Sequence, residues 1–148
     1  MKEMIVREAL ARDLEEIHEM QKESAEENGT WGYREDDMEV LKANLGHYFL
    51  VAEMDRSVVG FIYGWIEAAK DITIMRDGER YLHVEELHVK EPFRRQGIGS
   101  RLMNALLAAA RKDGLVRARV YSARKDLSSV MRFYERLGFK TWYVEMFR

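Results

Sequence analysis

Six residues, Arg94-Arg95-Gln96-Gly97-Ile98-Gly99, separate an apolar run ending at Val89 from a long helical pattern. Glycines at a helix start let the backbone approach a ligand closely and adopt torsions closed to other residues. The first N–H groups of a helix lack intrahelical partners and carry partial positive charge, so phosphate is their natural guest. Arg94 and Arg95 add charge and planar donors that match phosphate oxygens. Two familiar phosphate loops do not fit. A Walker loop needs Gly-Lys-Ser/Thr where this chain has Gly99-Ser100-Arg101, and a dinucleotide fingerprint needs a third glycine where Leu102 stands.

The elements around this loop read as follows. Met4 to Ala9 is a short strand. Asp13 with Glu16 reads as a capping box for a helix whose face includes Leu14, Ile17 and Met20 or Gln21, stopped by Asn28-Gly29. Glu35 to Leu45 reads as a second helix. His47–Met54 and Val58–Ile66 form a hairpin around Asp55-Arg56-Ser57, and Tyr81–Val89 is the next strand. The clearest helix runs from Gly97 to Lys112, with Ile98, Leu102, Ala105, Leu106 and Ala109 on one face. Leu115 to Tyr121 is a strand, Ser128 to Leu137 a helix, and Phe139 to Phe147 a closing strand. No repeat or linker interrupts the chain, so residues 1–148 read as one α/β domain.

With these neighbours the loop reads strand, proline, Arg-x-x-Gly-x-Gly, helix: Leu87-His88-Val89-Lys90-Glu91-Pro92-Phe93-Arg94-Arg95-Gln96-Gly97-Ile98-Gly99. This block resembles the GNAT superfamily of N-acetyltransferases. Phe133-Tyr134-Glu135-Arg136-Leu137-Gly138-Phe139 is similar to the family's Tyr-x-x-x-Gly-Phe signature, and the order of elements matches over nearly the whole chain. Val84-Glu85-Glu86-Leu87 and Phe133-Tyr134 look most like the spermidine/spermine-type small-amine enzymes. The resemblance implies a central mixed, mostly antiparallel twisted sheet of about six or seven strands with about four helices.

It also implies acetyl-CoA as cosubstrate, without a metal. Backbone N–H groups from Arg94 through Gln96, Gly97, Ile98 and Gly99, with Ser100 following, would hold the pyrophosphate. The strand Leu87-His88-Val89 would pair with the pantetheine arm, and the Val89 N–H would face the thioester oxyanion. Tyr134 would lie near the sulfur. An alkylamine with a pKa of about 10.4 must lose a proton before it attacks, and the departing thiolate must gain one. Glu85, on the face of Leu87 and Val89 by strand alternation, is the first candidate for the base. Glu86 and His83 are the other candidates, and Tyr134 is the candidate acid. Trp31 and Tyr33, aromatics on a long connection, are expected with Glu86 at the acceptor. One departure stands out: many members have asparagine where this chain has Leu127, so Asp126 or Ser128 would have to supply that polar contact.

The bulk composition narrows the alternatives. A net charge of −2 gives no electrostatic case for nucleic acid, and no membrane partner is expected because the longest uncharged run, Ser57 to Ile66, is too short to span a bilayer. The chain has no cysteine, which excludes a thiol nucleophile, fits a cytoplasmic protein and supports direct attack of the acceptor amine on the thioester in a ternary complex. The expected acceptor is a small amine or a peptide amine, the latter an N-terminus or a lysine. A non-catalytic acyl-CoA-binding module is the alternative outside the enzymes. The apolar stretch Trp142 to Phe147 offers a surface for a homodimer.

Overall fold

The computed structural model describes residues 3–148; residues 1 and 2 of the expected domain lie outside the described residues. The strands are β1 (Met4–Glu8), β2 (Phe49–Met54), β3 (Ser57–Ala68), β4 (Arg80–Val89) and β5 (Ala118–Val120). The helices are α1 (Leu14–Glu27), α2 (Met38–Ala43), α3 (Ile98–Lys112) and α4 (Leu127–Arg136). The strands form one sheet in the order β1-β2-β3-β4-β5, antiparallel except for the parallel β4–β5 pair. This is the expected mixed, mostly antiparallel α/β fold, with five strands among the described residues. None of the described helices is long and apolar enough to cross a membrane.

The difference in strand count comes from the end of the chain. Phe139 to Phe147 is rich in strand-forming residues, yet it pairs with no strand among the described residues and leaves Tyr143, Val144, Met146 and Phe147 exposed. Strand propensity reports fit to a pleated, half-buried surface, and this segment has no such surface beside it. The expected capping box also dissolves. Asp13 accepts from the Leu10 N–H at 2.7 Å and from the Arg7 guanidinium at 2.8 and 2.9 Å, while Glu16 accepts from the Val58 N–H at 3.1 Å. Arg7 thereby ties β1 to the start of α1 and holds the Asp13 carboxyl below its usual range.

Both faces of the sheet are covered. Leu50, Ala52, Val59, Ile62, Leu82 and Val84 pack with Leu102, Met103 and Leu106 of α3. Phe49, Val51, Val58, Phe61 and Tyr63 pack with Leu14, Ile17 and Met20 of α1 and Leu41 of α2. Burial on two faces explains why β2 and β3 read as nearly continuous apolar runs.

One irregularity positions everything that follows. Tyr63 pairs with Glu86 but Gly64 pairs with Val84, so Glu85 is the extra residue of a β-bulge. Gly64 permits it: a Cβ there would come within 2.0 Å of the His83 carbonyl oxygen. The bulge resets the alternation of β4. Leu82 and Val84 face α3, as do Leu87 and Val89, while His83, Glu86 and His88 all serve the α1 side. Glu85 therefore does not share a regular face with Leu87 and Val89, as simple alternation suggests. Its carboxylate lies 3.0 Å from His83 Nε2.

Candidate active site

β5 pairs with β4 only at Leu82, His83 and Val84. From the bulge onward β4 has no strand on that side, and a cleft of about 870 Å³ opens there. Its walls bring together Glu85, Glu86, Leu87, His88 and Val89 of β4, Arg94, Arg95, Gly97, Ile98, Gly99 and Ser100 of the loop and α3, Tyr134 of α4, and Trp31 and Tyr33. These are all of the expected site residues except Gln96, which is exposed and does not line the cleft.

The main chain of β4 is suited to an extended ligand. The Lys90 N–H bonds to the Val59 carbonyl at 2.9 Å, so alternation directs the Val89 N–H and carbonyl the other way, toward the cleft. Arg94 Nε donates to that carbonyl at 2.8 Å. The Val89 N–H is thus available to a ligand oxygen, and the unpaired edge can accept an amide-bearing arm as a further strand would pair.

The loop then turns sharply. Arg95 (φ 63°) and Gly97 (φ 80°) are left-handed, and α3 starts at Ile98. The Arg101 N–H to Gly97 carbonyl bond, 3.1 Å, is the first of the helix, so the N–H groups of Ile98, Gly99 and Ser100 precede it. That is an anion cradle of the kind a pyrophosphate occupies. Glycine at 99 admits the neighbouring helix, since a Cβ there would sit 3.3 Å from the Phe133 ring. Arg94 differs from expectation. Its guanidinium forks onto Glu27 at 2.7 and 2.8 Å, so three of its five N–H donors brace the end of α1 against β4. Arg95, exposed at the loop, keeps its charge available.

The other half of the cleft is acidic. Glu86 is half-buried; it accepts from Tyr33 Oη at 2.5 Å and from Gln21 Nε2 at 2.7 Å. Burial pushes its carboxyl up to about 7, with nearby Asp36 and Glu85 adding to the rise and the two hydrogen bonds opposing it. Gln21 also donates to Asp36 at 2.9 Å, and Tyr63 Oη donates to Asp36 at 2.6 Å. Burial, with these acidic neighbours, raises both phenols above their usual range, so they remain protonated donors. His88 is buried against Phe61 and pushed down to about 4 by burial, with Arg94 adding to the fall, so it is a neutral imidazole.

Tyr134 also lines the cleft, packed edge-on to Phe133 and Phe139. Burial lifts its phenol to about 12, and Arg124 opposes that rise. Two main-chain bonds, Trp31 N–H to Ala123 carbonyl and Lys125 N–H to Gly29 carbonyl, both 2.9 Å, tie the Trp31 loop to the segment after β5. Trp31 itself is exposed, with Phe147 edge-on at 5.6 Å and Lys125 Nζ over its ring at 4.8 Å. Asp126 and Ser128, weighed as substitutes for the asparagine that Leu127 replaces, do not line the cleft. Asp126 instead caps α4 through the Ser129 N–H at 3.5 Å.

Sequence reasoning missed Gln21, Tyr63 and Arg124 and took Asp36 mainly for part of a charged helix start; all four line the cleft or hold its carboxylates. Gln21 and Tyr63 looked like members of buried faces. The signal that distinguishes them is a polar atom on a buried stripe, which needs a buried partner. No group of three or more potential metal-ligating carboxylates and histidines occurs among the described residues.

The comparisons with known proteins agree with this geometry. The model of the Acetyltransferase (GNAT) family matches residues 11–139. An N-alpha-acetyltransferase of Sulfurisphaera tokodaii is 28% identical over 144 residues, covering 94% of this chain and 81% of the relative. The crystal structure of Ard1 from Thermoplasma volcanium superposes with a TM-score of 0.73 at 25% identity, covering 95% and 84% of the two chains. The aminoglycoside N-acetyltransferase AAC(6')-Iy in complex with CoA superposes with a TM-score of 0.77 at 19% identity, covering 100% and 95%, a likeness of fold.

Proposed function

This chain belongs to the GNAT acetyltransferase family and is an acetyl-CoA-dependent N-acetyltransferase; from that premise we propose that it acetylates the free α-amine of peptides, with Glu86 as base and Tyr134 as acid. The whole chain, residues 1–148, is read as one acetyltransferase domain, acting in the cytoplasm. The observation that carries the mechanistic part is the half-buried Glu86 carboxylate, raised to about 7 and lining the same cleft as Tyr134. A base is most effective when its pKa lies near the working pH. Glu85, the first choice from sequence, already lies 3.0 Å from His83 Nε2. His83 is buried and lies outside the residues lining the cleft.

In this reading the pyrophosphate lies on the N–H groups of Ile98 to Ser100, near Arg95. The amine nitrogen attacks the thioester carbon directly and forms the new C–N bond. The oxyanion takes the Val89 N–H, and the C–S bond then breaks. An ammonium becomes an amide by losing two protons: one goes to Glu86 and on to solvent, and Tyr134 gives its phenol proton to the thiolate and is restored by the other. A phenol raised to about 12 is a weak acid for a thiol of pKa about 8.5, so Arg124, which opposes the rise, is part of the proposal.

The peptide reading follows the relative at 28% identity, an N-alpha-acetyltransferase. A second reading, a small polycationic amine as in the spermidine/spermine-type enzymes that the motifs resemble, is favoured by the carboxylates of Glu85, Glu86 and Asp36 lining one wall. Thiol release from acetyl-CoA decides between them, measured side by side with peptides bearing a free N-terminus, the same peptides blocked, a lysine side chain, spermidine and an aminoglycoside. The proposal expects the highest kcat/KM with free peptides and none with blocked ones. Turnover on spermidine or the aminoglycoside alone would overturn it.

A further inference from the structure

Glu86 and Asp36 both line the acceptor half of the cleft, and no ion pair joins either of them to a cation among the described residues. Neutral groups hold them instead. Tyr33 donates to Glu86 alone at 2.5 Å, and Tyr63 to Asp36 alone at 2.6 Å. Gln21 touches both. Its Nε2 donates to Glu86 Oε1 at 2.7 Å and to Asp36 Oδ2 at 2.9 Å, while its Oε1 accepts the Asp36 N–H at 3.0 Å. These bonds join residues 15 and 65 positions apart, from a side chain with no solvent exposure on the buried stripe of α1. An amide in such a place costs free energy unless its donors and acceptor are satisfied, and here the two carboxylates and one main-chain N–H satisfy it.

We propose that Gln21 is a positioning residue for acetyl transfer: its buried amide fixes the Glu86 carboxylate toward the cleft, clamps Asp36 beside it, and leaves the acceptor's own ammonium as the cation the pair lacks. The inference rests on the reading of Glu86 as base and goes beyond it in naming what orients that base. The physical logic has two parts. A carboxylate anchored at one oxygen by Gln21 and at the other by Tyr33 cannot rotate away from its orientation. Donors that are neutral leave the pair's negative charge uncompensated, which favours binding an ammonium over an uncharged acceptor.

The test is the pH profile of kcat/KM for the acceptor, measured on the wild type, Gln21→Leu, Gln21→Glu and Glu86→Gln. Losing the amide removes a hydrogen bond that favours ionised Glu86. The acid limb of Gln21→Leu should therefore move to higher pH by about one unit, with kcat down about tenfold and the KM for acetyl-CoA within about twofold of wild type. Gln21→Glu keeps the size and adds a third carboxylate, so its acid limb should move the same way; it stands as the test if Gln21→Leu does not fold. Unchanged acid limbs in the folded Gln21 variants, with only a lower Tm, would overturn the inference. The parallel Glu86→Gln profile separates the two failures. If its acid limb persists, the base assignment itself is wrong. If its limb disappears while the Gln21 variants keep theirs, only the role of Gln21 falls.

Discussion

Glu86→Gln is expected to make the protein more stable and less active at the same time. Burial holds the Glu86 carboxyl at about 7, against 4.5 for an ordinary glutamate. The folded chain therefore holds a proton that the unfolded chain has released between those two values. The sign follows: the stability this group contributes is fully present below about pH 4.5 and is lost as pH rises through 7. Each pH unit is worth about 1.4 kcal/mol, so keeping this group ionised at pH 8 costs the fold about 3 kcal/mol. Glutamine removes the charge but keeps one of the two acceptors used by Tyr33 and Gln21. The expected net gain is thus about 1–2 kcal/mol at pH 8, or roughly 2–8 °C in Tm, shrinking to nothing or a small loss at pH 4.5. The same change removes the base and should lower kcat about 10²–10⁴-fold, with the acid limb lost. Thermal melts at pH 4.5 and 8 and thiol-release rates on the same samples measure both. A variant that is destabilised at pH 8 and keeps its activity would refute the reasoning on both counts.

Three further outcomes are expected. Tyr134→Phe should lower kcat about 10²-fold or more and leave acetyl-CoA binding, read by calorimetry, close to wild type; unchanged turnover would remove the phenol from the mechanism. Gly97→Trp should abolish acetyl-CoA binding, because Gly97 is left-handed at φ 80° and lies in the cradle, and titration calorimetry would show a normal affinity if the cradle were elsewhere. Arg94→Ala and Arg95→Ala should separate. The first breaks the Glu27 fork and lowers stability by about 1–3 kcal/mol, seen in urea melts, while the second weakens acetyl-CoA binding and flattens its salt dependence.

The parts of this molecule that sequence disclosed are those whose cause is local. α3 announces itself through its apolar stripe, and its stop at Gly114 (φ 81°) is a positive-φ position that glycine fills at no cost. Asn28 (φ 54°) ends α1 the same way. The turn into α3 with its unpaired N–H groups is legible because strand, proline, glycines and helix are contiguous. What escaped depends on distant partners. The bulge at Glu85 exists because Gly64, on another strand, has no Cβ to meet the His83 carbonyl, and it alone decides which β4 side chains face α1. Gln21 looks like one more residue on a helix face until Asp36 and Glu86 stand beside it. Arg94 has the right type for phosphate, but Glu27, 67 positions away, takes its fork. The tail from Phe139 has strand-forming residues but pairs with no strand among the described residues.

The most direct test of the account is a crystal structure with a bisubstrate conjugate, coenzyme A joined through an acetyl group to the α-nitrogen of a short peptide. The pyrophosphate should lie on the N–H groups of Ile98, Gly99 and Ser100, the acetyl oxygen on the Val89 N–H, the sulfur beside Tyr134, and the peptide nitrogen within hydrogen-bond reach of Glu86, directly or through one water. A peptide nitrogen directed away from Glu86, or a pyrophosphate bound outside the cradle, would contradict it.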